Sequence, residues 1–384
     1  MVGTPAGVPV KSIEIGRSLA PGRKVRGLLL AGAGSVLAWL LLSVVSPPPR
    51  LPWTREMTEA RARMGEALDA VAAHCRESGI RMDPTVDPNG TCLVGPELTP
   101  LVTTLGLLEA KRTTTNPDWA SLLVHLLREA GVEEGDAVAV GASGSFPAFA
   151  LAAQVAAEVL GAQPRVVLSL GASSYGATRP SFHLLDIHRL LRRRGILHAA
   201  PVAVSPGGAR DVGGGMDPAF RDSLVTELER SGLAVIVQDH LPANVARRLA
   251  LYDVTRPAAF VNVGGSWANM GTSPRILEVE PGLHENLAAT VDLPPRERRG
   301  VLFQMAARGV PVIHLLHVRG LVQRYGLPWD PVPLPAPGER SLTNPEGEAG
   351  GWFWVLSLAY LAFLVGVALW SRGGGRFPAV REPR

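Results

Sequence analysis

Residues 136–170, DAVAVGASGSFPAFALAAQVAAEVLGAQPRVVLSL, decide the fold of this chain. A short apolar run at residues 137–140 leads through a Gly/Ser turn into an Ala-rich helical stretch at residues 146–160, and a second apolar run follows at residues 166–170. Strand, helix and strand in this order predict a βαβ unit. Because both strands are apolar throughout, we expect them to be parallel and buried on both faces.

The same alternation continues towards the C-terminus and predicts a doubly wound α/β domain with a mostly parallel sheet. Further strands are predicted at residues 202–205, 234–237, 259–263 and 310–315. Further helices are predicted at residues 181–194, 218–231, 242–251 and 295–308. Upstream, helical spacing predicts two more helices at residues 55–78 and 118–130, with a polar stretch at residues 109–117 between them.

Two uncharged segments predict membrane-spanning helices near the two ends of the chain. They are residues 27–45 (GLLLAGAGSVLAWLLLSVV) and residues 352–370 (WFWVLSLAYLAFLVGVALW). Each run is close to the length needed to cross a hydrocarbon core of roughly 30 Å, and helices in soluble cores rarely stay apolar for more than about 14 residues. A cleaved signal peptide is the alternative for the first segment, but the run of prolines at residues 47–49 and the poor cleavage site before it favour an uncleaved anchor.

The charge distribution excludes a nucleic-acid-binding surface and orients the protein in the membrane. The formal net charge is +4, yet residues 1–26 and 372–384 hold nine bases and two acids. Removing these from the totals of 38 and 34 leaves 29 bases and 32 acids, about −3, for the rest of the chain. Since both flanking tails are basic, the positive-inside rule predicts two cytoplasmic tails and an extracytoplasmic middle. There, Cys75 and Cys92 can either form a disulfide or remain buried thiols.

These predictions give a two-pass protein of the cell membrane. Its parts are a basic cytoplasmic tail (1–26), a transmembrane helix (27–46), a helical and loop N-terminal part of the outer domain (47–135), the α/β domain (136–326), a Pro/Gly-rich tether (327–351), a second transmembrane helix (352–370) and a second basic cytoplasmic tail (371–384).

The turn after the first predicted strand is the first candidate site, because ligands of α/β sheets bind where strands end. Gly141, Gly144 and Ser145 surround Ser143 in a pattern similar to a nucleophile elbow, with Ser145 in place of the usual last glycine. Three readings remain open: a helix N-cap by Ser143 or Ser145, ligand binding at the helix N-terminus, and covalent catalysis by Ser143.

Two further strand-end loops offer polar groups and small residues for ligand binding. The first follows residue 170 and contains Ser173, Ser174 and Tyr175. The second follows residue 261 and contains Asn262, Gly264 and Gly265. Three such loops at one edge of a sheet predict a cleft, although each could equally be a tight turn that satisfies its own backbone.

A catalytic triad and a metal site have weaker support. Candidate partners for Ser143 are an acid from Asp211 or Asp239 and a histidine from His314 or His317. His183 and Asp186 share a predicted helix face, whereas His188 does not, so a metal site would need another ligand from elsewhere. No nucleotide-binding or zinc-protease motif occurs, and no cofactor or metal is predicted.

Several stretches in order resemble the poly-gamma-glutamate system protein family, a membrane-anchored component of bacterial poly-gamma-glutamate loci. They are residues 102–117 (VTTLGLLEAKRTTTNP), 141–147, 171–176, 261–265, 311–317 (PVIHLLH) and 325–331 (YGLPWDP). The resemblance covers approximately residues 80–335. It implies a role in making, exporting or processing a γ-linked glutamate polymer, without specifying an activity.

Two functions follow as expectations. The first is an accessory protein of the cell envelope that binds the polymer, or the synthase and export subunits, and helps to make the capsule. The second is an extracytoplasmic hydrolase or transferase that acts on the amide bonds of the polymer with Ser143 as nucleophile. Because the outer domain is slightly acidic, contacts with a polyanion must be local, for example through Lys111 and Arg112 or Arg179.

Overall fold

The computed structural model describes residues 23–45, 53–336 and 351–372, and the chain divides into two compact units. Residues 1–50 and 343–384 form one unit, and residues 51–342 form the other. Most of the two predicted tails (residues 1–22 of 1–26 and residues 373–384 of 371–384), the proline run at residues 47–49 and the tether beyond residue 336 lie outside the described residues.

Helices and strands alternate through most of the described chain. The helices are α1 (Arg23–Val45), α2 (Thr54–Glu77), α3 (Leu108–Thr114), α4 (Asp118–Glu129), α5 (Pro147–Val159), α6 (Leu184–Arg193), α7 (Pro218–Glu229), α8 (Leu241–Asp253), α9 (Trp267–Met270), α10 (Leu287–Thr290), α11 (Val301–Ala306), α12 (Val318–Tyr325) and α13 (Gly351–Arg372). The strands are β1 (Val102–Thr104), β2 (Ala137–Ser143), β3 (Gln163–Ser169), β4 (Ala172–Ser173), β5 (Thr178–Arg179), β6 (Phe182–His183), β7 (Ala203–Ser205), β8 (Gly207–Gly208), β9 (Val212–Gly214), β10 (Ala234–Val235), β11 (Ala259–Val263), β12 (Gly282–His284) and β13 (Val312–Leu315).

The unit of residues 51–342 is a mixed α/β domain built on a mostly parallel seven-stranded sheet, as predicted. The strand order is β10-β7-β3-β2-β11-β13-β12, and only β12 runs antiparallel to its neighbour. From β2 the chain proceeds outwards through β3 and β7 to β10, and then returns to place β11 on the other side of β2. The strand order therefore reverses between β2 and β11, which is where α/β sheets open a crevice.

All six predicted strands are present, and three local predictions need correction. Strand β12 was not predicted because it has only three residues, a buried glycine and two half-buried side chains, which are too few to show an alternation of apolar and polar side chains. The polar stretch at residues 109–117 was not predicted to be helical, yet most of it forms α3. The helix predicted at residues 295–308 is shorter: α11 begins after Gly300, and a 3₁₀ turn at Arg296–Arg298 precedes it.

Both faces of the sheet are covered by hydrophobic side chains. Val138 and Val140 of β2 belong to the cluster that includes residues of α2, α4 and α5, whereas Ala139 belongs to the cluster that includes residues of α8 and α11. Successive strand side chains point to opposite faces, so this division follows from the period of the strand. The two clusters explain why the strands read as continuous apolar runs.

The region before residue 136 is part of the same compact unit. The Trp119 ring of α4 packs edge-on against the Phe149 ring of α5, with centroids 4.8 Å apart. Cys75 at the end of α2 forms a disulfide with Cys92, with Cα atoms 6.6 Å apart. The disulfide therefore joins α2 to the loop that leads to β1, and the thiol alternative does not apply.

The other unit contains two helices long and apolar enough to cross a membrane. Only 6% of the apolar window of α1, and none of the window of α13, is buried, which is unlike the core helix of a soluble domain. Gly34 of α1 lies against the Phe363 ring of α13, and the Ser35 and Tyr360 hydroxyl oxygens are 2.5 Å apart. A glycine at this crossing lets the two backbones approach closely, as small residues do between membrane helices.

Candidate functional site

Three serines end three neighbouring strands of the sheet. Ser143 of β2 is in register with Ser169 of β3, and Ser169 is in register with Ser205 of β7. Residues paired in parallel strands project to the same face, so their hydroxyls form a row at the carboxyl edge of the sheet. All three are buried, with exposed fractions of 3%, 1% and 0%. We call these residues the serine row.

A cavity of about 200 Å³ opens at this edge, beside the point where the strand order reverses. It is lined by hydroxyl side chains, glycines, one alanine and one indole: Thr103, Thr104, Ser143, Ser145, Ser169, Gly171, Gly207, Gly208, Ala209, Gly265, Ser266 and Trp267. Pockets for drug-sized ligands have volumes of roughly 300–1,000 Å³. The cavity is therefore of a size for one small polar group, such as a single unit of a polymer.

A buried ion pair supports the serine row from behind. Arg248 of α8 pairs with Asp211, and its Nη2 also donates to the Ser169 and Ser205 hydroxyls at 3.1 and 2.9 Å. The two serine hydroxyls in turn donate to Asp211 Oδ1 at 2.9 and 3.0 Å. Both charged side chains are almost completely buried. The pair is electrically balanced, so it orients the serine hydroxyls without adding a net charge to the cavity.

One buried polar atom of a cavity residue has no hydrogen-bond partner among the described residues. It is Ser266 Oγ, and Ser266 lines the cavity directly. A buried polar atom without a partner costs about 1–3 kcal/mol, so this hydroxyl calls for a ligand or solvent to satisfy it. Ser174 Oγ, Asn244 Nδ2, Arg248 Nη1, Asn262 Oδ1 and Asn269 Oδ1 also lack a partner among the described residues, but these residues do not line the cavity.

Ser143, the predicted nucleophile, donates a long hydrogen bond to the Val263 carbonyl at 3.4 Å. Gly264, with φ of 78°, lies so close that a Cβ there would be 2.5 Å from Ser143 Oγ. Ser143 and Gly265 both line the cavity, and Gly264 lies against the Ser143 hydroxyl. Gly141 and Gly144 have structural roles, because a side chain at either would collide with Asn269 or with the Leu170 carbonyl.

The structure does not assemble a triad around Ser143. The side chain of Asp211 is occupied by Arg248 and the serine row, and Asp239 is exposed. His314 Nδ1 accepts from the Asn262 amide at 2.9 Å, and burial, followed by the charge of His284, lowers its pKa to about 4. His317 is exposed at the start of α12. Among the described residues, no histidine hydrogen-bonds to Ser143.

The prediction that Ser143 or Ser145 caps the following helix is wrong. Phe146 is the N-cap of α5, and no side chain bonds to the end of this helix. The Ser145 hydroxyl instead accepts the backbone N–H of Ser173 at 3.0 Å. This bond ties the turn after β2 to β4, so two of the predicted loops are in direct contact.

The side chains of Lys111 and Arg112 have different partners. Arg112 of α3 forms a two-point ion pair with Asp330, which lies 218 residues later in the sequence, at 2.7 and 2.6 Å. The Lys111 amine is buried; it donates to Ser173 Oγ at 2.6 Å and to the Ser145 carbonyl at 2.5 Å. Burial lowers the pKa of this amine to about 7. Tyr175, next to this group, is half-buried and has a left-handed backbone with φ of 65°.

The predicted helix face at residue 183 gains a partner from another element. His183 Nδ1 is 3.0 Å from Asp186 and its Nε2 is 3.1 Å from Glu227 of α7, so three possible metal ligands come together. His188 lies apart and is 2.6 Å from Gln154 Oε1. Burial, followed by the charge of Arg192, lowers the pKa of His188 to about 4. The contribution of Glu227 was missed because it lies 44 residues away in sequence.

Most residues of the serine row and its supporting ion pair were not predicted from the sequence. Ser169, Ser205 and Arg248 were not singled out, although a serine at or shortly after the end of each of three predicted strands was a visible signal. Arg248 carried no such signal, because a lone arginine on a predicted helix is usually solvent-exposed.

Comparisons with protein-family models, with curated proteins and with solved structures found no match to this chain. The fold and the site together define a class. The chain is a mixed α/β protein with two apolar helices near its ends, and it has a small hydroxyl-lined cavity at the carboxyl edge of its sheet.

Proposed function

We propose that this chain is a membrane-anchored accessory protein of poly-gamma-glutamate synthesis or export, whose doubly wound α/β domain binds a γ-glutamyl unit of the polymer. The observation that carries the proposal is the cavity at the carboxyl edge, where hydroxyl groups from separate strands and loops converge. The choice of poly-gamma-glutamate as the ligand rests on the sequence resemblance to the poly-gamma-glutamate system protein family.

The chemistry of the cavity suits this ligand. A γ-glutamyl unit presents a carboxylate, an amide N–H and a carbonyl, and hydroxyl groups can donate to the first and third and accept from the second. Ser266 brings a buried hydroxyl that has no partner among the described residues. A volume of about 200 Å³ is suited to one unit of a polymer rather than to a folded partner.

Binding in this proposal relies on hydrogen bonds more than on charge. The Arg112 guanidinium is paired with Asp330, the Lys111 amine is buried, and Arg179 donates to the Cys92 and Val94 carbonyls. These three cations are therefore occupied, and the outer part of the chain carries about −3 overall. We expect an affinity that changes little with ionic strength, because screening acts mainly on exposed charges.

The proposal places the domain outside the cytoplasm and both termini inside it. Basic tails and two apolar helices support this orientation through the positive-inside rule. The disulfide between Cys75 and Cys92 supports an oxidising compartment. The partners we propose are the bilayer, the synthase and export subunits, and the polymer.

Binding can be tested by calorimetry with the full chain in lipid nanodiscs and a short γ-linked glutamate oligomer. An α-linked oligomer of equal charge is the control ligand. Ser266→Ala removes a buried hydroxyl that makes no bond within the described protein, so we expect no loss of thermal stability and an affinity about tenfold lower. Ser78→Ala, at an exposed hydroxyl at the end of α2, is the matched control. Equal binding of both oligomers, or of neither, would refute the proposal.

The alternative is a hydrolase or transferase with Ser143 as nucleophile, which its place at the end of β2 favours. The two functions differ in their response to Ser143→Ala in cells. An accessory protein would lose only one of several cavity hydroxyls and should keep most of the polymer, whereas an enzyme that loses its nucleophile should not.

A further inference from the structure

We propose that Ser173 and Lys111 form a nucleophile–base pair beside the cavity, able to cleave or transfer an acyl group bound as an amide or ester. The Lys111 amine lies 2.6 Å from Ser173 Oγ, within the distance over which a base takes a proton from a serine. This pair differs from the Ser143 centre considered above, and Ser143 has no such base.

The surroundings of Lys111 are those of a catalytic base rather than of a surface cation. The side chain is 3% exposed, and its amine lies 3.7 Å from the centre of the Phe146 ring. Among the described residues it forms no ion pair with a carboxylate, so no negative charge offsets its own. Burial lowers the pKa of the amine to about 7, so a large fraction of the molecules hold it neutral near neutral pH.

The hydrogen bonds of the pair allow the proton to move. A neutral amine keeps two N–H groups, one of which can still donate to the Ser145 carbonyl at 2.5 Å. Its lone pair is then free to accept the hydroxyl proton of Ser173. The backbone N–H of Ser173 donates to the Ser145 hydroxyl at 3.0 Å, which ties the nucleophile in β4 to the turn after β2.

Ser173 adjoins the cavity through its neighbours. Strand β4 pairs with β1, where Ser173 is in register with Thr104, and both Thr104 and Ser145 line the cavity. Gly106 covers the pair closely: a Cβ there would be 3.0 Å from Ser173 Oγ and 3.1 Å from Lys111 Cε. The segment from Thr104 to Gly106 therefore leaves no room for a larger residue over the pair.

The chemical step balances without a cofactor. Neutral Lys111 takes the Ser173 proton while Oγ forms a bond to the substrate carbonyl carbon. The bond from that carbon to the leaving nitrogen or oxygen then breaks, and the Lys111 ammonium returns the proton to the leaving group. Water, or a second amine, then attacks the Ser173 ester while Lys111 takes its proton. The bond from the carbonyl carbon to Oγ breaks, the Lys111 ammonium returns the proton to Ser173 Oγ, and the acid or a new amide is released.

This inference stands apart from polymer binding, and one experiment distinguishes the two. The full chain in nanodiscs is treated with a fluorophosphonate probe between pH 5 and 9, and the modified residue is identified by peptide mass spectrometry. We expect labelling at Ser173, rising with an inflection near pH 7. Labelling at Ser173 in a protein that binds no γ-linked oligomer would overturn the proposed function and support this inference.

Variants separate chemistry from folding. Ser173→Ala should abolish labelling, whereas Ser78→Ala, at an exposed hydroxyl at the end of α2, should leave it unchanged. Lys111→Met should lower the labelling rate by about 10²-fold or more, which is the usual scale for loss of a general base. The same variant should remove the inflection from the pH profile. Labelling at Ser143, no labelling of the folded wild-type chain, or an unchanged rate in folded Lys111→Met would each overturn the pair.

A second measurement tests the pair if Ser173→Ala or Lys111→Met fails to fold. Both native cysteines are in the disulfide, so Ser173→Cys places a single free thiol in the described chain. We expect this thiol to react with iodoacetamide with an inflection below the value of about 8.5 for a free cysteine. An inert thiol in a folded protein would overturn the proposal, because the nucleophile would then be inaccessible.

Discussion

At the scale of single residues, the buried ion pair of Asp211 and Arg248 is the feature with the largest energetic cost to form. Arg210 and Asp211 both have left-handed backbones, with φ of 56° and 66°, which non-glycine residues adopt at some cost. This turn brings the Asp211 carboxylate beneath Ser169 and Ser205. A strained turn and a buried ion pair at one place indicate that the orientation of the serine row matters to the protein.

Removing one member of this pair should destabilise the fold more than removing both. Arg248→Met leaves the Asp211 carboxylate buried without its cation, and we expect the free energy of unfolding to fall by about 3–5 kcal/mol. Adding Asp211→Asn to Arg248→Met should recover a substantial part of this loss. Denaturant unfolding of the single and double variants measures both values. Additive losses would show that the two charges do not interact.

At the scale of elements, a covalent link and a glycine contact join segments that are distant in sequence. The disulfide connects the last turn of α2 to Cys92, whose backbone N–H donates to buried Asp87 at 2.6 Å. In the other unit, Gly34 lets α1 lie against the Phe363 ring of α13. Neither contact could be predicted from local propensity, because each depends on the approach of two elements.

The disulfide should contribute measurably to stability. Cys75→Ala combined with Cys92→Ala should lower the free energy of unfolding by about 2–5 kcal/mol, because the unfolded chain regains the freedom of the closed loop. Thermal unfolding with and without a reductant provides the comparison. The reductant should reproduce the loss in the wild-type chain and have no effect on the double variant. An equal response of both proteins would contradict this account.

At the scale of the whole molecule, we expect the unit of residues 51–342 to face outwards. Leu277 is 84% exposed, and Leu277→Cys would add the only free thiol to this described unit. A membrane-impermeant maleimide added to intact cells should therefore modify Leu277→Cys. Ser12→Cys, in the predicted cytoplasmic tail, should react only after the cells are opened. The reverse pattern would place the domain in the cytoplasm and remove the basis for an extracellular-polymer function.

The class of fold could be predicted because periodicity is a local property. Residues 136–170 already specify strand, turn, helix and strand, and burial on both faces leaves the strands apolar throughout. The two apolar helices could also be predicted from the sequence, since length and lack of charge decide whether a segment suits a bilayer. Elements such as α3 and β12 were not predicted, because a polar helix and a three-residue strand carry little apolar pattern for a prediction to use.

The sequence by itself determined the mixed α/β fold, the mostly parallel sheet, the two apolar helices and the three polar loops at the ends of strands. Only the tertiary structure decided which of these loops meet, that Arg248 and Asp211 support the serine row, and that Lys111 lies against Ser173 rather than in solvent. The physical reason is that secondary structure follows from neighbours in the chain, whereas a site depends on strand order and side-chain contacts over long separations. Lys111 and Ser173 are 62 residues apart, and no local pattern records their distance.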